Sequence, residues 1–323
     1  MDVSGAVDRG DLDELSHLID SCCANRDWEA LTDLRDRCRR AHERGRQLWP
    51  ITTHAEYRLA LEAPGSFAAA VLVEGAGRFA LGPLPEVAAA RHEWPELAPH
   101  VAPGPPAVLA LHERVVRGED CSAAPLPGPP VLDLPTRLQR WEPPYPLAEY
   151  RSHSADFPTP PLPSTEPATL PTPPEGFSDD ATRALTALVD TWTTASDGRV
   201  EALVVEGTAI DAIAALRPPV ARVAPLDTAT ALAVLAWAGA SGGAHGRRPG
   251  GAAGRFGAWW AAAALVDRLD DWPVPADELG AAIDRLEWFV WDAAEPASGW
   301  ELRVAVTDPR RGRGWAVAAV DAR

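Results

Sequence analysis

The chain has 323 residues, 46% of them hydrophobic and 24% charged, which is enough apolar material for a sizeable core and excludes wholesale disorder. A net charge of −16 excludes broad attraction to nucleic acid or anionic lipid. Apart from histidine every basic residue is Arg, so a lysine Schiff base, a Walker-type lysine and a catalytic lysine base are excluded too.

The first residues, MDVSGAVDRGDLDE, are acidic and hold no apolar run, unlike a secretory signal. The uncharged stretch from Thr228 to Ala244 is diluted by Thr, Ser and Gly, and the block Trp259 to Val266 is too short to span a bilayer. A cytoplasmic protein with no membrane partner is expected, its four cysteines (Cys22, Cys23, Cys38 and Cys121) reduced.

Leu12, Leu15, Leu18, Ile19 and Cys22 fall on one helical stripe, and Trp28, Leu31, Leu34 and Cys38 on a second that Gly45 stops. Thr53 with Glu56 reads as a capping box opening a third helix, which ends near Pro64-Gly65. Residues 1–98 are therefore expected to form a helical domain. Within it, Arg35, Arg37, Arg39, Arg40, Arg44 and Arg46 are spread around a helix with acids nearby, the pattern of a paired, solvated face. Cys38 and His42, with Cys22 and Cys23 on the preceding helix, lack the close pairs of a zinc site, and no metal site is expected. Gly75-Ala76-Gly77-Arg78-Phe79-Ala80 fits a dinucleotide fingerprint, but Gly82, Pro83 and Pro85 break the helix that such a fingerprint must open, leaving a glycine turn.

Residues 99–174 hold 20 of the 33 prolines. Such density argues against long helices and central strands, yet Trp141, Tyr145, Tyr150 and Phe157 are too apolar for a solvated linker. The expectation is an ordered, proline-rich extended arm over residues 99–177, packed on its neighbours. From 178 to 323 the pattern is mixed α+β: helix over Ala181–Trp192, a buried strand over Val200–Val205, helix over Thr208–Leu216, and an Ala-rich helix capped by Asp227. Two Trp-bearing helices follow, Arg255–Leu269 and Asp277–Trp291. Alternation at Trp300, Leu302, Val304 and Val306, then at Trp315, Val317 and Ala319, predicts a terminal β-hairpin.

Gly239-Ala240-Ser241-Gly242-Gly243 fits a hydrolase elbow, but a helix precedes the serine and no acid lies between it and the last histidine, His245. Residues 239–257 hold eight glycines, far more than a helix connection needs. Gly242, Gly243, His245, Arg247, Arg248 and Arg255 are the candidate anion-binding set, because converging N–H groups beside a helix start and Arg attract anions. Close packing through small residues explains the same glycines. His245 is the weak candidate for acid–base catalysis, and an acid such as Asp227 or Glu206 beside it would support that role.

The blocks HAEYRLALEAPG (54–65), EGAGRFALGPLPEV (74–87) and SGGAHGRRPGGAAGRF (241–256) resemble those of high-GC actinobacterial proteins to which no activity is assigned. The resemblance implies a bacterial cytoplasmic origin and carries over no site residue or cofactor. The function expected is a cytoplasmic interaction or regulatory protein, with a protein partner and a phosphate-like small molecule at the 239–257 loop. The alternative is an enzyme acting there on a phosphorylated or nucleotide substrate.

Overall fold

The computed structural model describes residues 3–294 and 299–322. The chain is α+β and divides into two compact units, one formed by residues 1–131 and 148–157, the other by 132–147 and 158–323.

The first unit is helical: α1 (Val3–Arg9), α2 (Leu12–Asn25), α3 (Trp28–Glu43), α4 (Trp49–Glu62), α5 (Gly65–Ala70), α6 (Leu84–Ala89), α7 (Trp94–Leu97) and α8 (Pro105–Val116). Asp11 and Asp27 cap α2 and α3 by accepting from Glu14 and Ala30 N–H groups, satisfying donors that a helix start leaves open. Gly45 turns the chain after α3 at φ +93°. The expected capping box at Thr53 does not form. Pro50 at the first turn starts α4 earlier, and Thr53 and Glu56 lie buried inside it. Polar side chains such as Glu56 and Arg58 are usually kept out of a core, yet α4 buries Glu56, Tyr57 and Arg58 beside Leu59, Ala60 and Leu61. The glycine turn holds: Gly75 and Gly77 have positive φ, and Gly77 N–H donates to Glu56 Oε2 at 2.7 Å.

α8 corrects the expectation for the proline-rich segment. Pro105 and Pro106 occupy the first turn, where a missing N–H costs nothing, and the ten residues after them contain no proline. Further on, β1 (Glu149–Arg151) and β2 (Ser154–Asp156) make a short antiparallel hairpin that belongs to the first unit.

The second unit carries β3 (Glu166–Ala168), α9 (Asp180–Ala187), α10 (Asp190–Thr194), β4 (Arg199–Glu206), α11 (Ala209–Ala215), β5 (Ala221–Leu226), α12 (Thr228–Ala240), α13 (Gly251–Leu265), α14 (Ala276–Ile283), β6 (Glu287–Asp292), β7 (Gly299–Asp308) and β8 (Arg313–Ala322). Its six-stranded antiparallel sheet has the order β3-β5-β6-β7-β8-β4. β7 and β8 form the expected hairpin, with Val304 opposite Val317 and Val306 opposite Trp315. Alternation sends Val205, Ala305 and Ala316 to one face, where Ala209, Ala212 and Ile213 of α11 cover them.

The expected helix over Asp277–Trp291 is overturned: α14 ends at Ile283 and Glu287–Asp292 is a strand between β5 and β7. Trp288, Phe289, Val290 and Trp291 have aromatic and β-branched side chains suited to a sheet buried on both faces. Within this unit, residues 132–147 are held by one buried ion pair. The Glu142 carboxylate accepts from Arg255 Nε at 2.6 Å and Nη2 at 2.8 Å, from Trp259 Nε1 at 3.0 Å and from Tyr145 Oη at 2.7 Å. Both charged side chains are 0% exposed.

Candidate metal centre

In the first unit three side chains able to ligate a metal, from separate elements, meet. His54 lies on α4, Asp20 on α2, and His153 at the turn between β1 and β2. One ligand atom of each lies within 4.8 Å of the others. An ion with bonds of about 2.1 Å holds its ligand atoms about 3–4 Å apart, a difference that the part-exposed imidazoles close by rotating. His153 Nε2 is already 3.3 Å from Asp20 Oδ1, and the two imidazoles stack at 5.3 Å and 27°.

The surrounding groups fix this arrangement. Arg58 sits one turn after His54 on the same helix face. Its Nη1 donates to Asp20 Oδ1 at 2.5 Å and its Nε to Glu62 Oε1 at 2.7 Å, so one buried guanidinium orients the carboxylate and is itself held. Glu62 Oε1 also accepts from Ser152 Oγ at 2.8 Å, and Tyr57 Oη donates to the Arg151 carbonyl at 2.5 Å. Both bonds tie the hairpin turn, and with it His153, to α4.

The protonation states suit metal binding. Burial pushes the His54 pKa down, and the Arg58 and His153 charges push it further, which favours the neutral imidazole that can take a metal. Burial raises the Asp20 carboxyl, but the Arg58 hydrogen bond and charge outweigh this and hold it below the ordinary value, ionised at neutral pH. The histidines open onto a cleft of about 250 Å³ shared with Trp49, Tyr57, Phe79 and Leu81. Trp49 and Phe79 are in contact at 4.6 Å, and remain 39% and 58% exposed.

Periodicity and spacing predict no metal site here, because the three ligands lie 34 and 99 residues apart on a helix, a helix and a short hairpin. The available signal was polar chemistry inside a core helix: His54, Glu56, Tyr57 and Arg58 interrupt an otherwise apolar run. The cysteines take no part. All four are free and buried; burial pushes the Cys23 thiol up to about 12 and the Cys38 thiol up to about 11, which disfavours the ligating thiolate. Arg35, Arg37 and Arg39 pair with Asp36, Asp33 and Glu56.

The residues of the glycine-rich loop are placed differently from one another. Ser241 is buried at the end of α12, donating to the Ala238 carbonyl and accepting from Trp192 Nε1 at 2.8 Å. A side chain at Gly242 would strike the Gly246 carbonyl, and one at Gly243 (φ +68°) would strike the Asp321 carboxylate. That carboxylate accepts from Ala244 N–H at 2.6 Å and from Ser196 Oγ at 2.9 Å. His245 and Arg247 are exposed and Arg248 is half-buried. Arg255 is not presented with them: it lies in the second turn of α13, its guanidinium taken by Glu142 and by the Pro135 and Arg137 carbonyls. Neither acid suggested for His245 joins it. Asp227 caps the opposite end of α12, and Glu206 lies at the far end of β4 beside Arg313.

Among the described residues no helix is long and apolar enough to cross a membrane. No curated protein and no solved structure matches the chain. A family profile does, over residues 13–323, so the chain belongs to the family of unknown function DUF6183.

Proposed function

We propose that the first unit is a metal-dependent catalytic module, binding one divalent first-row transition metal through Asp20, His54 and His153. The observation that carries this reading is the convergence of two imidazoles and a carboxylate, held by Arg58 and Glu62, at the mouth of a cleft. An N₂O ligand set suits Zn²⁺ or Fe²⁺. Three protein ligands leave a position open, as catalytic rather than structural sites do. A metal bound there would acidify water or polarise an oxygen of a small substrate lying against Trp49 and Phe79. Titrating chelator-stripped protein with Co²⁺ and following its visible d–d bands tests this. One equivalent should bind, and azide should then perturb the bands at the open position. Saturation without any response to azide would leave a closed, structural site.

A second reading places a phosphate-like anion, or an acidic protein partner, at His245 and Arg247, whose exposure supports it. This is the interaction or regulatory role, with a phosphorylated or nucleotide substrate as its enzymatic form. Asp321 already takes the Ala244 N–H, so binding there would rest on side-chain charge rather than on a backbone cradle. Loss of phosphate-dependent stabilisation in Arg247→Ala would support it; an unchanged response would remove it. A cytoplasmic location is supported by the four free cysteines.

A further inference from the structure

The first unit contains a larger cavity, of about 610 Å³, lined in part by β1 and by Ser152 of the hairpin turn. Glu62, Arg91, Arg117, Glu149, Tyr150 and Arg151 line it. A volume of this size takes a small organic molecule. Its polar groups differ in how far they are satisfied. Glu62 accepts from Arg58 and Ser152, Tyr150 Oη donates to Glu86 Oε2 at 2.7 Å, and Arg151 pairs with Glu149 at 3.5 Å. Arg117 follows the last turn of α8. One Nη donates to the Ala148 carbonyl at 3.2 Å, but its Nε is buried with no hydrogen-bond partner. Arg91, at the exposed rim, makes no ion pair among the described residues.

We infer that this cavity binds a small molecule through an oxyanion group, a carboxylate or a phosphate, seated on Arg117 and steered by Arg91. A guanidinium presents five donors in a fixed fork and cannot shed its charge, and neither Arg117 nor Arg91 on this wall makes an ion pair among the described residues, so the wall carries an unmet demand for an acceptor. An oxyanion meets that demand with charge-assisted hydrogen bonds. Burial lowers the Arg117 pKa from its ordinary value, against the pull of nearby Glu113 and Glu86, which marks the guanidinium as short of solvation. Those two acids moderate the local positive charge without lying on the cavity wall, and Arg91 restores it at the entrance. The inference does not rest on the metal reading, although Ser152 lines both cavities.

The test is thermal melting of the full chain at constant ionic strength, in EDTA so that no metal contributes, with inorganic phosphate or succinate titrated against chloride. A saturable rise in Tm with either ion is expected, and which one responds identifies the oxyanion. Arg117→Gln should abolish the rise, Arg91→Ala should weaken the apparent affinity about tenfold, and Arg247→Ala should leave it unchanged. Should Arg117→Gln fail to fold, Arg91→Ala, at an exposed position, decides. No saturable rise with either ion, an undiminished response in both Arg117→Gln and Arg91→Ala, or a loss confined to Arg247→Ala would overturn the inference.

Discussion

Arg255 shows how a side chain's chemistry and its partner can be separated along the sequence. Beside eight glycines, the exposed Arg247 and the half-buried Arg248 it reads as a ligand for a phosphate-like anion, but its guanidinium is taken by the carboxylate of Glu142. What spacing could not show is that its partner acid lies 113 residues upstream, in the proline-rich segment. The same holds for Ala244 N–H, which meets Asp321 from the end of the last strand. Breaking a buried pair leaves an uncompensated charge, so Glu142→Ala should destabilise the second unit by about 3 kcal/mol, read in urea melts. Burial raises the Glu142 pKa, but the Arg255 hydrogen bonds and charge outweigh it, and the folded value lies below the ordinary 4.5. A depressed carboxyl pKa stabilises the fold above the unfolded value, and that contribution fades as pH falls below about 4.5 toward the folded value. Wild-type protein should therefore lose stability across this window more steeply than Glu142→Gln; parallel pH profiles would show that the pair contributes nothing.

At the scale of elements, glycine acts mainly where α12 and α13 cross. A Cβ at Gly254 would run into the Ala236 carbonyl, which is backbone and cannot yield, whereas one at Gly257 would meet only Leu188 Cδ2 at 2.9 Å. Gly254→Ala should thus cost about 1–3 kcal/mol and Gly257→Ala clearly less, measured as a difference in Tm. Equal effects would mean that the crossing is looser than the geometry indicates. The elements legible in advance were those with a local cause: the terminal hairpin through alternation, α11 and α12 through Thr208 and Asp227 caps, α2 and α3 through apolar stripes. Leu279, Ile283, Leu286 and Val290 also keep a helical period, which hides the strand β6, because only the neighbours β5 and β7 decide that Glu287–Asp292 is extended. β5 escaped notice for a related reason. It is six residues long with Pro225 inside it, tolerated because β3 pairs only as far as Val223 and leaves that stretch of β5 with β6 alone.

At the scale of the whole molecule, the chain leaves its first unit at residue 131 and returns to it at 148–157, and that return supplies His153. Composition marked the proline-rich stretch as ordered, but a return of ten residues leaves no periodic trace, so the third member of the candidate site was invisible until α2, α4 and the hairpin were seen together. The arrangement has a consequence for the polar core of α4. Unlike Glu142, the acids that pair with buried Arg58 stay partly exposed, Asp20 at 43% and Glu62 at 23%. Losing the guanidinium therefore leaves their charges in reach of water, and the value of these pairs lies in holding Asp20 and the hairpin in place. Arg58→Met should keep much of the fold's stability while weakening metal affinity by 10–100-fold, the range for outer-sphere partners, checked by competition with a chromogenic chelator. The most direct measurement is the metal content of the full chain, stripped by chelator, reloaded with Zn²⁺ and gel-filtered, beside a His54→Ala, His153→Ala double variant that retains its helical circular dichroism. One zinc per chain in the wild type and well under a tenth of that in the variant is the predicted result. Sub-stoichiometric zinc in both, or equal zinc in both, would contradict a metal centre at Asp20, His54 and His153.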